Sequence, residues 1–309
     1  MTVSNTERQD AANVENEEFI EKLRRVLGSC SINFLFGAGV NGSGFPQFGA
    51  FSKTLEVLKN HGTPGENIEQ EVRSLASDER DDVLDAFCAE FMECATEFDP
   101  DNESIMHLGR LFNDVSAIVA KAENRHPESK RINVFTLNYD RIAETVLERQ
   151  GQFYYVLNAK HSKSSLPFEI VGYNTAKREY VPTFAIYKLH GSTDAANKLK
   201  KGDIVFPGDD KLGNVLNDFY ETLFSMKGEL LKRNSVLFVI GYSWSDDHVN
   251  GVIEDALANG LVVYQLQYGN SDESSDRIPR NVYIVPPADI EEKQDTTLTL
   301  AELLEKADR

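Results

Sequence analysis

Short apolar runs recur along the chain and alternate with amphipathic stretches. The first is Ile32-Asn33-Phe34-Leu35-Phe36, closed by Gly37-Ala38-Gly39. Others stand at Ile132–Thr136, Thr183–Tyr187, Val236–Ile240, Leu261–Tyr264 and Val282–Val285. Runs of this length, without regular polar alternation and ended by turn residues, predict strands buried on both faces of a parallel sheet. Around them apolar residues repeat at helical spacing. Phe19, Ile20, Leu23, Val26 and Leu27 precede the first run, and further helices are predicted over Asp140–Gln150 and Asp246–Asn259. Strands alternating with helices predict an α/β fold, a doubly wound Rossmann-like parallel sheet, with the strand order left open.

Residues 50–130 depart from that alternation and read as almost wholly helical. One stripe is Val83, Leu84, Phe87, Cys88, Phe91, Met92 and Ala95; another is Leu108, Leu111, Phe112, Val115, Ile118 and Val119. Both read as ordinary core faces, so a helical insertion or small helical domain is expected between the first and second strands. Residues 1–16 are polar and are expected to form an arm, residues 17–290 the α/β domain with its insertion, and residues 291–309 a helix or tail.

Composition narrows the function classes. With 309 residues, 41% hydrophobic and 27% charged, the chain has ample core for a globular domain. It carries 50 acidic residues against 32 basic ones, a formal net charge of -18. That balance disfavours direct nucleic-acid binding and an anionic membrane surface, both of which call for clustered Lys and Arg. It leaves room for a small anionic ligand held by backbone amides. Cys30, Cys88 and Cys94 form neither a disulfide framework nor a CxxC zinc pair, and no metal is expected. No apolar stretch approaches the roughly 20 residues of a membrane span, and the N-terminus lacks a signal pattern, so a cytoplasmic location is expected.

In doubly wound folds ligands bind beyond the carboxyl ends of the strands. Four segments occupy such positions. Gly37-Ala38-Gly39-Val40-Asn41-Gly42 follows the first strand, and its glycines suit close approach to a pyrophosphate. Thr136-Leu137-Asn138-Tyr139-Asp140 ends a strand and opens a helix, where Asp140 has the ordinary alternative of a helix cap and Asn138 of an Asx turn. Lys188-Leu189-His190-Gly191-Ser192 puts a histidine where a general base is useful. Gly241-Tyr242-Ser243-Trp244-Ser245-Asp246-Asp247-His248 follows a buried strand, and Trp244 could either stack on a purine or cover the loop.

In order and content these four segments resemble the sirtuin family. Gly37-Ala38-Gly39, continued by Gly44-Phe45-Pro46-Gln47-Phe48, resembles its glycine-loop signature. Thr136 to Asp140 resembles its Thr-Gln-Asn-x-Asp strand end, His190-Gly191 its catalytic His-Gly, and Gly241-Tyr242-Ser243 its adenosine-side Gly-Thr-Ser. The departures are Asn41 for Ser, Gln47 for Asp, Gly49 for Arg and Leu137 for Gln, and no zinc-ribbon cysteines follow His190. The wording is more similar to the zinc-less, sirtuin-like proteins of bacterial antiphage defence.

That resemblance implies an NAD+ hydrolase releasing nicotinamide and ADP-ribose in abortive infection, with NAD+ as substrate. It implies catalytic roles for Asn138 and His190. Gly37, Ala38, Gly39, Asn41, Phe48, Asp140, Gly241 and Ser243 would bind the dinucleotide. A homo-oligomer and a translocase-type ATPase partner are further expectations. Two other classes stay open: an NAD-dependent deacylase or ADP-ribosyltransferase, and a non-catalytic NAD+ or ADP-ribose binding module. NAD+ and NADP+ are not distinguished, since Asp194, Asp209, Asp210, Asp246 and Asp247 all stand near expected loop ends.

Overall fold

Among the described residues, eight strands form one sheet: β1 (Ser31–Phe36), β2 (Arg131–Thr136), β3 (Phe153–Leu157), β4 (Phe168–Val171), β5 (Thr183–Lys188), β6 (Ser235–Ile240), β7 (Val262–Leu266) and β8 (Val282–Val285). Their order is β4-β3-β5-β2-β1-β6-β7-β8, and only the edge pair β3–β4 is antiparallel. The computed structural model describes residues 17–62, 68–122, 130–157, 168–171, 183–194, 196–206, 219–268, 282–287 and 294–308. The expected arm at 1–16, and the carboxylates Asp209 and Asp210, lie outside the described residues.

The helices are α1 (Glu17–Ser29), α2 (Ser52–His61), α3 (Ile68–Ser74), α4 (Ser77–Thr96), α5 (Glu103–Lys121), α6 (Ile142–Arg149), α7 (Tyr220–Leu230), α8 (Asp247–Ala258) and α9 (Thr296–Asp308). Helices α2 to α5 all fall between β1 and β2, as the helical stretch of the sequence predicts. None of the described helices is long and apolar enough to cross a membrane.

Each strand feeds both layers of core, which is why its apolar run is continuous. Phe34, Phe36, Val134, Phe184 and Phe238 point into one layer, and Leu35, Phe135, Ala185, Leu237 and Val239 into the other. The first layer holds α1, α5 and α9, with Phe112 of α5 set against Phe36 and Phe184 at ring separations of 6.1 and 5.1 Å. The second holds α7 and α8 through Met226, Leu230, Val249 and Ile253. Burying side chains of this size contributes about 1.5–3 kcal/mol each, so the two layers dominate stability.

The strands missing from the periodicity reading are β3 and β4. Strand β3 is fully buried only at alternate positions, Tyr154 and Val156, so it lacks the unbroken run that marks the central strands. Helix α7 also escapes it, because its buried positions are Thr222, Met226 and Leu230, too sparse for an apolar stripe.

Candidate active site at the sheet switch point

From β1 the sheet runs to β2 on one side and to β6 on the other, so the loops after β1 and β6 diverge and leave a crevice between them. Backbone contact sets the floor of that crevice. The loop after β1 is a 3-10 turn, Ala38–Gly44. The Gly37 N–H donates to the Ile240 carbonyl at 3.0 Å and the Gly39 N–H to the Gly241 carbonyl at 3.1 Å. A Cβ at Gly37 would stand 2.3 Å from the Gly241 oxygen, and one at Gly241, whose φ is +65°, 2.3 Å from the Val40 nitrogen. The glycines therefore serve the approach of two loops to one another. This differs from the reading in which they offer their amides to a phosphate, because the Gly37 and Gly39 donors are already engaged.

Above the floor lies a cavity of about 290 Å³. Gly37, Ala38, Gly39, Asn41, Phe48, Asn138, Asp140, His190, Gly241 and Ser243 all line it, so the structure gathers every sequence-predicted site residue around one space. The segments that carry them are the ends of β1, β2, β5 and β6.

Strand β2 ends at Thr136, whose hydroxyl accepts the Asn138 N–H at 3.1 Å. The Asn138 amide nitrogen then donates to the Gly37 carbonyl at 3.1 Å, which fixes the side chain against the glycine loop. Asp140 makes the helix-start bond expected of a cap and a second bond to the glycine loop. One carboxylate oxygen accepts the Ile142 N–H at 2.9 Å, at the start of α6, and the other accepts the Asn41 amide at 2.9 Å. Beneath it Lys188, 1% exposed, donates to the Asp140 backbone carbonyl at 2.5 Å and pairs with Glu144 at 3.1 Å. Burial pushes the Asp140 carboxyl above its ordinary range, and the Lys188 ammonium is the chief opposing influence.

His190 follows β5 and is 4% exposed. Gly191 has φ +89°, and a Cβ there would stand 2.0 Å from the Asp203 carbonyl oxygen, so only glycine lets the 203–206 segment close over the site. That segment is pinned from both sides: the Val205 N–H donates to the His190 carbonyl at 3.0 Å, and the Tyr139 hydroxyl donates to the Val205 carbonyl at 2.6 Å. The His190 ring meets a second ring, with its Nε2 2.8 Å from Nε2 of His248 on the first turn of α8.

Among the described residues, His190, Asp246 and His248 bring ligand atoms within 4.8 Å of one another, a donor set able to hold a divalent transition metal. The Nε2 atoms of the two histidines stand 2.8 Å apart, at hydrogen-bonding distance from one another.

Two features escape the sequence reading. The α4 stripe is more than a core face, because Phe87 and Phe91 also wall the cavity, with Phe87 5.4 Å from Phe48 and Phe91 5.1 Å from Phe45. Their helical spacing carries no sign of this, since a cavity-facing Phe and a core-facing Phe repeat alike. His248 is visible within the fourth segment, but nothing local to it announces His190 as its neighbour.

Trp244 resolves the other way. Its φ is +59° and it is buried, with the indole N–H donating to Gln265 Oε1 at 3.0 Å. The ring covers the loop rather than facing a ligand. Trp244→Phe leaves the Gln265 oxygen buried without this donor, and thermal or urea unfolding should show a loss of about 1–3 kcal/mol. Affinity for a dinucleotide should stay within about twofold, as read by calorimetry.

A family model described as SIR2-like domain matches residues 132–296. A solved structure of a Sir2 homologue in complex with NAD is 15% identical over 93% of this chain and 93% of its own, with a TM-score of 0.52, and shares the fold. A second structure, from work on the mechanism and regulation of Sir2 enzymes, is 15% identical over 95% of this chain and 98% of its own, with a TM-score of 0.48. No curated protein matches the chain in sequence.

Proposed function

The chain belongs to the SIR2-like domain family, and on that premise we propose that it cleaves the nicotinamide–ribose bond of NAD+ with water. The observation that carries the reading is the convergence of Asn138, Asp140 and His190 with the glycine loop on one cavity at the switch point. Nicotinamide departure leaves an oxocarbenium-like ribose. In this reading Asn138, held by Gly37, uses its remaining amide oxygen to orient the water or a ribose hydroxyl. Asp140 accepts from the nicotinamide carboxamide, and Phe48, with Phe87 behind it, supplies an apolar wall for the ring. Gly37, Ala38, Gly39, Asn41, Gly241 and Ser243 face the pyrophosphate and adenosine side. His190 takes the proton of the attacking water.

Two features favour water over an acyl-lysine acceptor. No cysteine follows Cys94, so a zinc ribbon of the deacylase kind has no ligands. Val205, the residue beside His190, also has its backbone N–H and carbonyl committed within the chain and does not offer them to an extended peptide. The protein is assigned a cytoplasmic antiphage role, with NAD+ loss halting the infected cell. Its activity is held in check by homo-oligomerisation or by a translocase-type ATPase. The net charge of -18 suits docking on a basic partner surface.

The test is to incubate the purified protein with NAD+, alone and with the proteins encoded beside it, and to follow nicotinamide and ADP-ribose. Equimolar release without any acylated peptide is expected. Release that depends strictly on an acylated peptide would instead identify a deacylase, and tight binding without turnover in every combination a binding module. The metal-free reading also predicts that turnover persists in a chelator such as EDTA. Loss on chelation, with recovery on adding a divalent metal, would contradict the metal-free reading of the histidine pair.

A further inference from the structure

Two histidines that meet nitrogen to nitrogen beside a buried carboxylate have the composition of a transition-metal site. We propose that His190, Asp246 and His248 bind a divalent ion of the zinc class, and that the bound ion switches the cavity off. The first part stands on geometry and donor chemistry; the second rests on the hydrolysis reading above.

The donors set the class of ion. Two imidazoles and one carboxylate suit zinc and its neighbours, whereas Mg2+ and Ca2+ call for oxygen ligands. The three ligand atoms lie within 4.8 Å of one another, and the two Nε2 atoms are 2.8 Å apart. Metal–nitrogen bonds of about 2.0–2.1 Å let one ion span nitrogens up to about 4 Å apart, so the pair is within reach. Two neutral imidazoles bond to each other through one shared hydrogen, and the ion takes its place.

Asp246 supplies a second, independent observation. It stands at the N-cap of α8, where an Asp ordinarily accepts a helix amide, yet its side chain makes no capping bond. It is buried and lines the cavity together with His190, which gives an ion a path to both. The turn that holds it is tied independently of any ion. The Tyr242 hydroxyl accepts the Asp246 N–H at 3.2 Å and donates to Asn250 Oδ1 at 2.8 Å. The Asn250 amide in turn donates to the Trp244 carbonyl at 2.8 Å. On the other side, the Val205 N–H holds the His190 carbonyl. The inhibitory effect follows from the ring itself. A neutral imidazole has one lone pair, so His190 bound to a metal through either nitrogen cannot take a proton from water.

The test titrates metal-stripped protein with Co2+, followed by its visible absorption, and with Zn2+ in competition. Wild type should bind one ion more tightly than D246N and H248A do. Losing a group that only hydrogen-bonds to a ligand costs about 10–100-fold in metal affinity, so losing a ligand should cost about 100-fold or more. Circular dichroism checks that both variants fold, and Mg2+ should not compete. Saturating Zn2+ should lower nicotinamide release by wild type about 100-fold or more, reversibly with EDTA. Each variant, compared with its own rate in EDTA, should need about 100-fold more Zn2+ for the same fractional loss.

Identical titrations of wild type and both folded variants would overturn the site, as would equal competition by Mg2+. Binding at the site that leaves nicotinamide release untouched would overturn the inhibition. Absence of release from wild type in every combination would sink the hydrolysis reading, while the Co2+ titration still decides the site.

Discussion

Replacing His190 or Asn138 by alanine is expected to lower nicotinamide release from NAD+ by about 10²–10⁴-fold, a loss of about 3–5 kcal/mol in transition-state stabilisation. The two variants should keep their fold for a local reason. The bond that pins the 203–206 segment runs to the His190 backbone carbonyl, which survives truncation of the ring. Asn138→Ala forfeits one side-chain bond to Gly37, worth about 1 kcal/mol. Circular dichroism and thermal melts should therefore remain close to wild type while turnover collapses. Full activity in both variants would remove these residues from the reaction.

Lys188→Met should have the largest effect on stability. The ammonium is 1% exposed and compensates Glu144, itself 2% exposed, while steadying the Asp140 carbonyl. Removing one partner of a buried ion pair typically costs about 3–5 kcal/mol, because the other charge is stranded. Here the stranded group sits beside a second carboxyl whose ionisation burial already disfavours. The sign with pH follows from that direction. A carboxyl whose folded value is raised binds its proton more tightly in the native state than in the unfolded chain, so stability falls as pH rises through the gap between the two. Without Lys188 the Asp140 value moves further up and the gap widens. Urea unfolding of Lys188→Met should show a stability that recovers as pH is lowered, with a steeper slope than wild type. A variant equal to wild type at pH 7 would show that the pair contributes nothing net.

The contrast between His190 and His248 shows where sequence reading ends. Segments that close a buried strand announce themselves, because the apolar run gives way there to glycine or polar residues; Gly37, Asn138, His190 and Gly241 are legible for that reason. Central strands are legible likewise, since Phe34 and Leu35 fill opposite layers and leave no polar interruption. Strand β3 is not, because it is fully buried only at alternate positions. The pairing of His190 with His248 spans 58 residues and arises only when β5 and β6 flank β2 and β1 in the sheet. The strand order that creates it is a tertiary fact, as is the turn of α4 that aims Phe87 and Phe91 at the cavity.

The switch point also has a consequence for the order in which the protein is made. The first part of the chain delivers the glycine loop, Asn138 and His190; Gly241, Asp246 and His248 arrive only with β6 and α8, well past residue 230. Domains emerge from the ribosome N-terminus first, so a nascent chain carries half a cavity for most of its synthesis. The floor of the cavity closes only when Gly241 comes up against Gly37 and Gly39. A nascent chain that has not yet produced β6 and α8 thus lacks Gly241, Asp246 and His248, and its cavity stays incomplete through chain order alone.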